Sequence, residues 1–234
     1  KTNASIHLNT SVKSIRPLEG GGIEVQYGDK VEYFDKVIFT APVNILEQVT
    51  SPKLCEIIKN DKPIEYLGVV CLALVTKSPL TPFYVLNMCD VTSPFTGVIG
   101  ISSLVDPSQT AGEYITFFPK YIPADHQYWK TSDENLERIF MNGVRDLYPE
   151  FNDAEIVSVH INRAFKVQPL QVLNYSNIIP EIKTKHPDFF VLNTSQFVND
   201  SVNNNSVVTH VNSFMKSFAT ELEKKRSHNT DLGI

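Results

Sequence analysis

The stretch Pro187-Asp188-Phe189-Phe190-Val191-Leu192-Asn193-Thr194-Ser195-Gln196-Phe197 decides the fold of this chain. Its first half is a short apolar block rich in Phe and Val, which indicates a strand that is buried on both faces. An Asn-rich turn follows, and apolar residues then recur at helical spacing from about residue 207 to residue 222. The sequence therefore predicts a strand, a polar loop and a helix in this region.

The predicted helix has recognisable ends. Asn203, Asn204 and Asn205 offer N-cap chemistry at its start, and the run Lys224-Lys225-Arg226 lies where cations oppose the negative end of the helix dipole. Its apolar stripe consists of Val207, Val211, Phe214, Met215, Phe218 and Leu222. Such a unit aims backbone N–H groups at whatever lies before the helix, often a phosphate or an electron-rich ring. A strand and helix that merely close a core remain the alternative.

Composition limits the classes of protein. The chain has 234 residues, of which 42% are hydrophobic and 20% charged, so it can bury a core as one large domain or two smaller ones. The formal net charge is −5 and there is no basic stripe, which argues against nucleic acid as a partner. The longest apolar run, residues 67–75, is too short to span a bilayer, and no signal-peptide pattern is present. We expect a cytoplasmic protein.

Residue patterns for metal binding or nucleophilic catalysis are not found. Cys55, Cys71 and Cys89 are widely spaced, so we expect reduced, mostly buried thiols and no metal. The chain has no GxSxG, HExxH, P-loop or GxGxxG motif. His160 lies on the polar face of a predicted strand, where a surface or hydrogen-bonded role is favoured over that of a base. The catalytic residues stay unknown from these patterns.

Residues 5 to 42 alternate in the manner of strands. Three strands are predicted. The first leads from Ile6-His7-Leu8 to Val12-Lys13-Ser14-Ile15, the second has Ile23, Val25 and Tyr27 on one face, and the third contains Val31 and Tyr33, with turns at Gly20-Gly21-Gly22 and Gly28-Asp29 between them. The run from Lys36 to Pro42 is apolar enough for a strand buried on both faces, which implies a parallel α/β sheet. No strand or helix precedes Ile6 as a sheet neighbour, so we expect the fold to lack its first half.

The middle of the chain differs in character. A short helix from Asn44 to Lys59, interrupted at Pro52, is followed by four predicted strands at residues 67–75, 83–88, 96–101 and 113–118. These strands indicate a meander rather than a βαβ series. Thr131 and Glu134 form a capping box for a helix that ends before Pro149. Its stripe consists of Leu136, Ile139, Phe140, Val144 and Leu147. A strand at 156–163 follows, so the predicted class is α/β with α+β character and one helix covering a mixed or antiparallel sheet.

A set of short motifs in fixed order carries a family resemblance. The motifs are Tyr66-Leu67-Gly68-Val69-Val70-Cys71, Ser78-Pro79-Leu80-Thr81-Pro82-Phe83-Tyr84, Pro94-Phe95-Thr96-Gly97-Val98-Ile99, Pro119-Lys120-Tyr121-Ile122-Pro123-Ala124-Asp125, Trp129 with Ser132-Asp133-Glu134, Arg163-Ala164-Phe165 with Gln168-Pro169, and Asn193-Thr194-Ser195-Gln196-Phe197 with Asn205. Together they resemble the C-terminal half of an FAD-dependent oxidoreductase of the amine-oxidase and protoporphyrinogen-oxidase-like group. The chain is also similar to the UDP-galactopyranose mutase branch of that group.

The resemblance implies a discontinuous FAD-binding domain. Residues 1–60 resemble its middle segment, 61–185 an inserted substrate-binding domain and 186–225 the returning strand and helix, with 226–234 as a tail. The main hold on FAD would then lie in an N-terminal Rossmann half of the same protein. A small organic molecule would be the substrate, and it would transfer hydride to the flavin.

The same resemblance implies site residues. Those expected at the cofactor are Val12, Ala41, Pro42, Gln196, Phe197, Asn204 and Asn205. Those expected at the substrate are Arg163, Gln168 and Pro169. The start of the final helix, near Asn204 and Asn205, would face the flavin, where N–H groups stabilise negative charge on the reduced ring.

Two departures from the family pattern leave alternatives open. After Phe197 the family usually has a Tyr-Pro-Glu-Asp-Arg-like run, and this chain has Val198-Asn199-Asp200-Ser201-Val202. Where relatives tend to have Glu-His-Thr, this chain has Gly100-Ile101-Ser102. Both changes remove charged or titratable groups. A non-catalytic binding or structural module with this fold is therefore the alternative to an oxidoreductase, and an unrelated ligand-binding α/β protein is the third possibility.

Overall fold

The computed structural model describes residues 4–58, 63–200 and 202–231. The predicted helix end at Lys59, and Ser201 in the departing run, lie outside these residues, as do the side chains of Lys224, Lys225 and Arg226. The chain forms two compact units. The first combines Lys1–Ile64 with Gln171–Ile234, and the second is Glu65–Leu170.

The first unit opens with a three-stranded antiparallel sheet. Its strands are β1 (Val12–Pro17), β2 (Ile23–Tyr27) and β3 (Lys30–Phe34), in that order. Alternate β2 side chains are buried, as the period of two predicts. The predicted start of the first strand at Ile6 is wrong, because residues 6–8 have no strand structure and the Ile6 side chain is 81% exposed, whereas residues 12–15 lie in β1 as predicted.

A parallel pair of strands joins the two segments of this unit. Strand β4 (Val37–Phe39) pairs with β10 (Phe189–Val191), with Val37 opposite Phe189 and Phe39 opposite Val191. All three β10 side chains are buried, which confirms a strand covered on both faces. Helices α1 (Val43–Val49) and α2 (Pro52–Ile58) follow β4 and break at Pro52 as predicted. Residues of β1, β2, β4, β10, α1 and α2 share one hydrophobic core, which consists of Ile15, Ile23, Val25, Tyr27, Phe39, Leu46, Leu54, Phe189 and Val191.

Asp188 fixes the entry to β10. Its carboxylate accepts hydrogen bonds from the Gly22 backbone N–H at 2.9 Å and from Lys36 Nζ at 3.2 Å. The Lys36 and Asp188 side chains are only 13% and 16% exposed. Burial alone would raise the pKa of Asp188, but the hydrogen bonds from Gly22 and Lys36 outweigh burial and hold this pKa below its ordinary value. The carboxylate therefore ties the β1–β2 turn and the start of β4 to β10.

The last helix, α4, spans Asn204–Asp231. It starts three residues earlier than the apolar stripe, because the Asn203 side chain accepts a hydrogen bond from Ser206 N at 2.9 Å and caps it. Phe214 is buried and packs with Phe218 against Phe190, at centroid distances of 5.9 and 5.2 Å. The predicted stripe is too broad: Val211 and Met215 are 38% and 44% exposed.

The second unit is a five-stranded sheet. Its strands are β5 (Tyr66–Thr76), β6 (Val85–Asn87), β7 (Gly97–Gly100), β8 (Tyr114–Ile122) and β9 (Ile156–Pro169), in the order β6-β7-β8-β5-β9. Every pairing in it is antiparallel. The predicted meander holds for β6-β7-β8 alone. The long apolar β5 lies between β8 and β9, where both of its edges are hydrogen-bonded.

Helix α3 (Asp133–Leu147) covers one face of this sheet. Its N-cap is Ser132, whose hydroxyl accepts from Asn135 N at 3.4 Å, so the capping box predicted at Thr131 and Glu134 is wrong by one residue. Thr131 instead donates to Gln127 O at 3.1 Å. The predicted stripe is confirmed, with Leu136, Phe140 and Val144 buried in the core.

The packing of α4 yields a stability prediction. Phe214→Ala should lower the free energy of unfolding by about 3–4 kcal/mol, because a buried ring leaves a cavity among aromatic neighbours. Met215→Ala, on the exposed side of the same turn, should cost less than about 1 kcal/mol. Urea unfolding of the two variants measures the difference. Equal losses would show that α4 is not seated through Phe214.

Candidate functional site

A polar cleft lies where the turn after β10 meets the start of α4. Its volume is about 430 Å³, within the range of small-molecule sites. It is lined by Gln196, Phe197, Val198, Asp200, Asn205, Ser206, Thr209, His210 and Ser213. Three of the predicted cofactor residues, Gln196, Phe197 and Asn205, therefore share one cleft.

The turn that carries Gln196 is a closed hydrogen-bonded unit. Asn193 Oδ1 accepts from Ser195 N at 3.0 Å, and Gln196 Oε1 accepts from Asn193 N at 3.0 Å, which makes a reciprocal capping box. Gln196 Nε2 donates to the carbonyls of Pro180 and Val191, each at 3.0 Å. The buried Gln196 amide is thus used by the protein itself, so its role at the cleft is to position the turn.

Gln196 also orients His210. Since two carbonyls fix the amide nitrogen, the amide oxygen faces His210 Nε2 at 3.3 Å, and Nε2 must carry the proton. Burial lowers the pKa of His210, which favours the neutral ring. The ring packs edge-on against Phe197 at a centroid distance of 5.2 Å. Neutral His210 therefore lines the cleft in one defined tautomer.

Two further contacts hold the cleft in place. The Tyr175 hydroxyl donates to Ser195 O at 2.7 Å from a buried position. The Gln171 amide accepts from Asn199 N at 3.0 Å and donates to Asp200 O at 2.9 Å, which anchors the loop at the rim. The start of α4 contributes N–H groups, because helix geometry gives Asn204 and Asn205 no carbonyl partner within the helix.

The other predicted cofactor residues are spread over the first unit. Ala41, just after β4, accepts a hydrogen bond from Asn193 Nδ2 at 3.0 Å, so it adjoins the turn directly. Pro42 is exposed at the N-cap position of α1. Val12 begins β1, lies opposite Tyr27 and is 42% exposed. Among these three residues, Ala41 is the one that contacts the capping-box turn.

The predicted substrate residues all belong to β9 in the second unit. Arg163 pairs with Asp133 and donates to Thr131 O at 2.7 Å, so its guanidinium is held at the start of α3. Gln168 lies opposite Leu67 on β5, and its amide makes a long 3.4 Å contact with Pro169 O. Pro169 is buried opposite Tyr66. These residues share a strand, and their role in substrate binding stays a prediction.

The arrangement of His, Cys, Asp and Glu side chains and the burial of the three thiols can be described directly. Among the described residues, no group of three or more His, Cys, Asp or Glu side chains is arranged to hold a metal ion. Burial raises the pKa of Cys71 to about 11, which makes its thiol a poor nucleophile. Cys55 and Cys71 are half-buried and Cys89 is exposed, so the expectation that the thiols are mostly buried is wrong for Cys89. His160 is exposed, with Nε2 3.0 Å from Ser158 Oγ.

Sequence reasoning named Gln196 but missed its hydrogen bonds and several residues around it. Asn193 and Gln196 have the spacing of a capping box, which was a usable signal for their reciprocal bonds. His210 lies one turn before Phe214, on the buried side of α4, so its position was also readable from the helical period. Tyr175 and Gln171 contact the turn only through the tertiary fold, and no local pattern marks them.

One protein family matches this chain in sequence, and several solved proteins match it in fold. Residues 1–190 match the family described as "Flavin containing amine oxidoreductase". No individual curated protein matches the sequence. A solved protein described as a protoporphyrinogen oxidase from Exiguobacterium sp. 255-15 superposes with a TM-score of 0.68 at 14% identity, over 91% of this chain and 47% of that protein. An oxidoreductase from Methanosarcina mazei gives 0.67 at 14% identity, over 88% and 49%.

Solved proteins with lower TM-scores also share part of this fold. Reduced UDP-galactopyranose mutase superposes with a TM-score of 0.53 at 15% identity, over 71% of this chain and 37% of that protein. The chain thus spans about half the length, or less, of the solved proteins it matches. At such identities the likeness shows the fold alone. The family match ends at residue 190, before the cleft begins at Gln196.

Gln196 provides the test of the cleft architecture. Gln196→Met should lower the free energy of unfolding by about 2–4 kcal/mol, because the buried groups Pro180 O, Val191 O and Asn193 N lose a partner. Gln168→Met is the matched control and should cost under about 1 kcal/mol, since that amide makes one long contact. Chemical denaturation measures both. Equal stability of Gln196→Met and wild type would contradict the proposed positioning role.

Proposed function

The chain belongs to the family of flavin containing amine oxidoreductases, and on that premise we propose that it is the C-terminal portion of an FAD-dependent oxidoreductase. In this proposal the first unit supplies the flavin-side turn and the second unit binds the substrate. The observation that carries the proposal is the strand β10, followed by a rigid capped turn and the polar start of α4. Ligands of α/β sheets bind beyond the carboxyl ends of the strands, which is where this turn lies.

The parallel pair β4–β10 supports the proposal that further strands of the whole protein lie beside β4. Among the described residues it is a sheet of two strands, with β10 on one side of β4 and no strand on the other. Parallel strands with apolar side chains belong to larger sheets that are covered on both faces. We infer that an N-terminal Rossmann half adds its strands to β4, which would make the FAD-binding domain complete.

The residues at the cleft fit part of a flavin. Asn205, Thr209 and Ser213 offer polar side chains, and the start of α4 offers backbone N–H groups. These groups suit the hydrogen-bonding edge of an isoalloxazine ring, and the positive end of α4 favours negative charge there. When bound, FAD would supply the hydride acceptor. The chain's own part is to hold the ring edge through α4 and to keep the turn rigid through Gln196 and Asn193.

The second unit is the proposed substrate-binding part of the chain. Arg163, Gln168 and Pro169 remain the proposed substrate residues, although the Arg163 guanidinium is already paired with Asp133. Putrescine oxidase bound to putrescine is among the solved folds that match, with a TM-score of 0.55 at 11% identity. We propose a small organic molecule as the hydride donor.

No helix within the described residues has the length and apolar character that crossing a bilayer requires. A cytoplasmic location remains our proposal.

One observation favours the alternative, a non-catalytic module with this fold. Val202 stands where the family's Tyr-Pro-Glu-Asp-Arg-like run ends in Arg, so this chain lacks that cation beside the cleft, while the Asp200 carboxylate still lines it. A cation would stabilise negative charge on a reduced ring, and a carboxylate alone would oppose that charge. Retention of FAD without its reduction by any organic substrate would support this alternative.

The chain alone should not retain FAD. The pyrophosphate of a dinucleotide is held mainly by a strand, a glycine loop and a helix, and Gly20-Gly21-Gly22 instead connects β1 to β2. The Gly22 N–H is moreover taken by Asp188. The visible spectrum of the purified, desalted chain tests this expectation, which is a colourless protein that becomes yellow when the upstream coding sequence is included. A near-stoichiometric flavin band in the chain alone would refute it.

A further inference from the structure

We propose that a cleft in the second unit binds an organic ammonium ion, a cation with a short apolar body. The cleft lies between the loop after β5, the end of α3 and the segment that leads into β9. Its volume is about 360 Å³, enough for a small amine. It uses none of the residues assigned to the flavin or the substrate, and it does not rest on the proposed function.

The walls of the cleft suit a cation with methyl or methylene groups. Tyr148, Phe151 and Leu80 are among its lining residues, and their side chains are half-buried, in contact with the core of the second unit. An ammonium group is attracted to the face of an aromatic ring, and its carbon atoms gain from apolar contact with the same surface. Two aromatic walls therefore favour an alkylated ammonium over a bare metal ion.

The charges at the cleft select the sign of the ligand. Glu150 and Glu155 line it, and within the described part of the chain neither carboxylate lies within 4 Å of a cationic side chain. Helix α3 ends at Leu147 beside the cleft, so the negative end of its dipole adds to the two carboxylates. These negative charges would repel an anion and attract a cation. The ligand that fits the cleft is therefore a cation.

Two cationic side chains lie near the cleft without lining it. Lys77 Nζ donates to Ala154 O at 2.9 Å, and Arg145 makes two hydrogen bonds with Asp153, at 2.8 and 3.1 Å. Neither Lys77 nor Arg145 lines the cleft. Arg145 already neutralises Asp153, which is outside the cleft. Lys77 keeps its charge, because its partner is a neutral carbonyl, but it does not line the cleft, so Glu150 and Glu155 are the charged side chains that a ligand would meet there.

The cleft is formed before any ligand arrives. Phe151 N donates to Tyr148 O and Glu155 N to Asn152 O, both at 2.9 Å, while Asn152 Oδ1 accepts from Ala154 N at 3.0 Å. Lys77 N donates to Glu155 O at 2.9 Å and ties the segment to the end of β5. Because these bonds fix the backbone that carries Tyr148, Phe151 and Glu155, little backbone ordering is needed on binding.

The test compares choline with its neutral isostere 3,3-dimethylbutan-1-ol, which has the same shape without the charge. Amide chemical shifts of the ¹⁵N-labelled chain are followed as each probe is added. Choline should shift the amides of Leu80, Tyr148 and Phe151 in a saturable way, with an affinity roughly tenfold above that of the alcohol. Equal affinities, or no saturable shift at these amides in a chain with a dispersed folded spectrum, would overturn the proposal.

Variants separate charge from shape. Glu155→Gln should weaken choline binding several-fold and leave the alcohol unaffected, whereas Phe151→Leu should weaken choline roughly tenfold by removing the ring face. Glu137→Gln changes an exposed carboxylate on α3 outside this cleft and should leave both affinities unchanged. If Glu137→Gln weakens choline as much as Glu155→Gln, the binding reflects overall charge and the cleft is not the site.

Discussion

The pairing of β4 with β10 is the interaction on which the first unit depends. It joins residues more than 140 positions apart in the chain, and Asp188 extends the join by hydrogen bonds to Gly22 and Lys36 across 166 and 152 positions. Bringing together residues so far apart in the chain loses conformational entropy. The contacts that offset this loss must therefore be buried and specific. Three apolar β10 side chains and one shielded carboxylate meet that condition.

The register of this pair also determines the cleft. With Val191 opposite Phe39, the next residues on both strands bring Asn193 to Ala41, where the Asn193 amide donates to the Ala41 carbonyl. The capping box then directs the chain back through Gln196, and His210 on α4 closes the contact with the Gln196 amide. A slip by one residue would exchange the two faces of β10, which would remove Phe189 and Val191 from the core that they share with Phe39 and Phe190 from its contact with Phe214. The geometry of the turn is therefore a consequence of how β10 is buried.

Local patterns predicted most elements, since apolar periodicity reports burial directly. The strand β10, the break at Pro52 and the α3 stripe were readable for that reason. The strand order of the second unit was not, because hairpins predict neighbours and cannot show that β5 lies between β8 and β9. The width of the α4 stripe was overestimated, since periodicity does not say how much of an apolar face has a partner.

The family resemblance named Gln196, Phe197 and Asn205, which share the cleft, but the sequence did not show which of their polar groups the protein uses itself. Gln196 looks like a ligand residue in sequence, yet its amide is consumed by Pro180, Val191 and Asn193. Arg163 similarly pairs with Asp133, a contact that depends on where α3 crosses the sheet. Which polar groups a protein satisfies internally depends on tertiary packing, and a linear pattern does not contain that information.

Unfolding of Asp188→Asn as a function of pH tests the central claim that this carboxylate clamps the two segments together. Because the folded-state pKa is depressed, its stabilisation is present above the unfolded pKa and is lost as pH falls through the folded value. Wild type should exceed Asp188→Asn by about 1.5–3 kcal/mol near neutral pH, and the gap should narrow only below about pH 4. Asp29→Asn, which removes an exposed ion pair with Lys13 in the same unit, should show almost no gap. Equal stability of Asp188→Asn and wild type near neutral pH, or a gap that persists unchanged below about pH 3, would contradict the account.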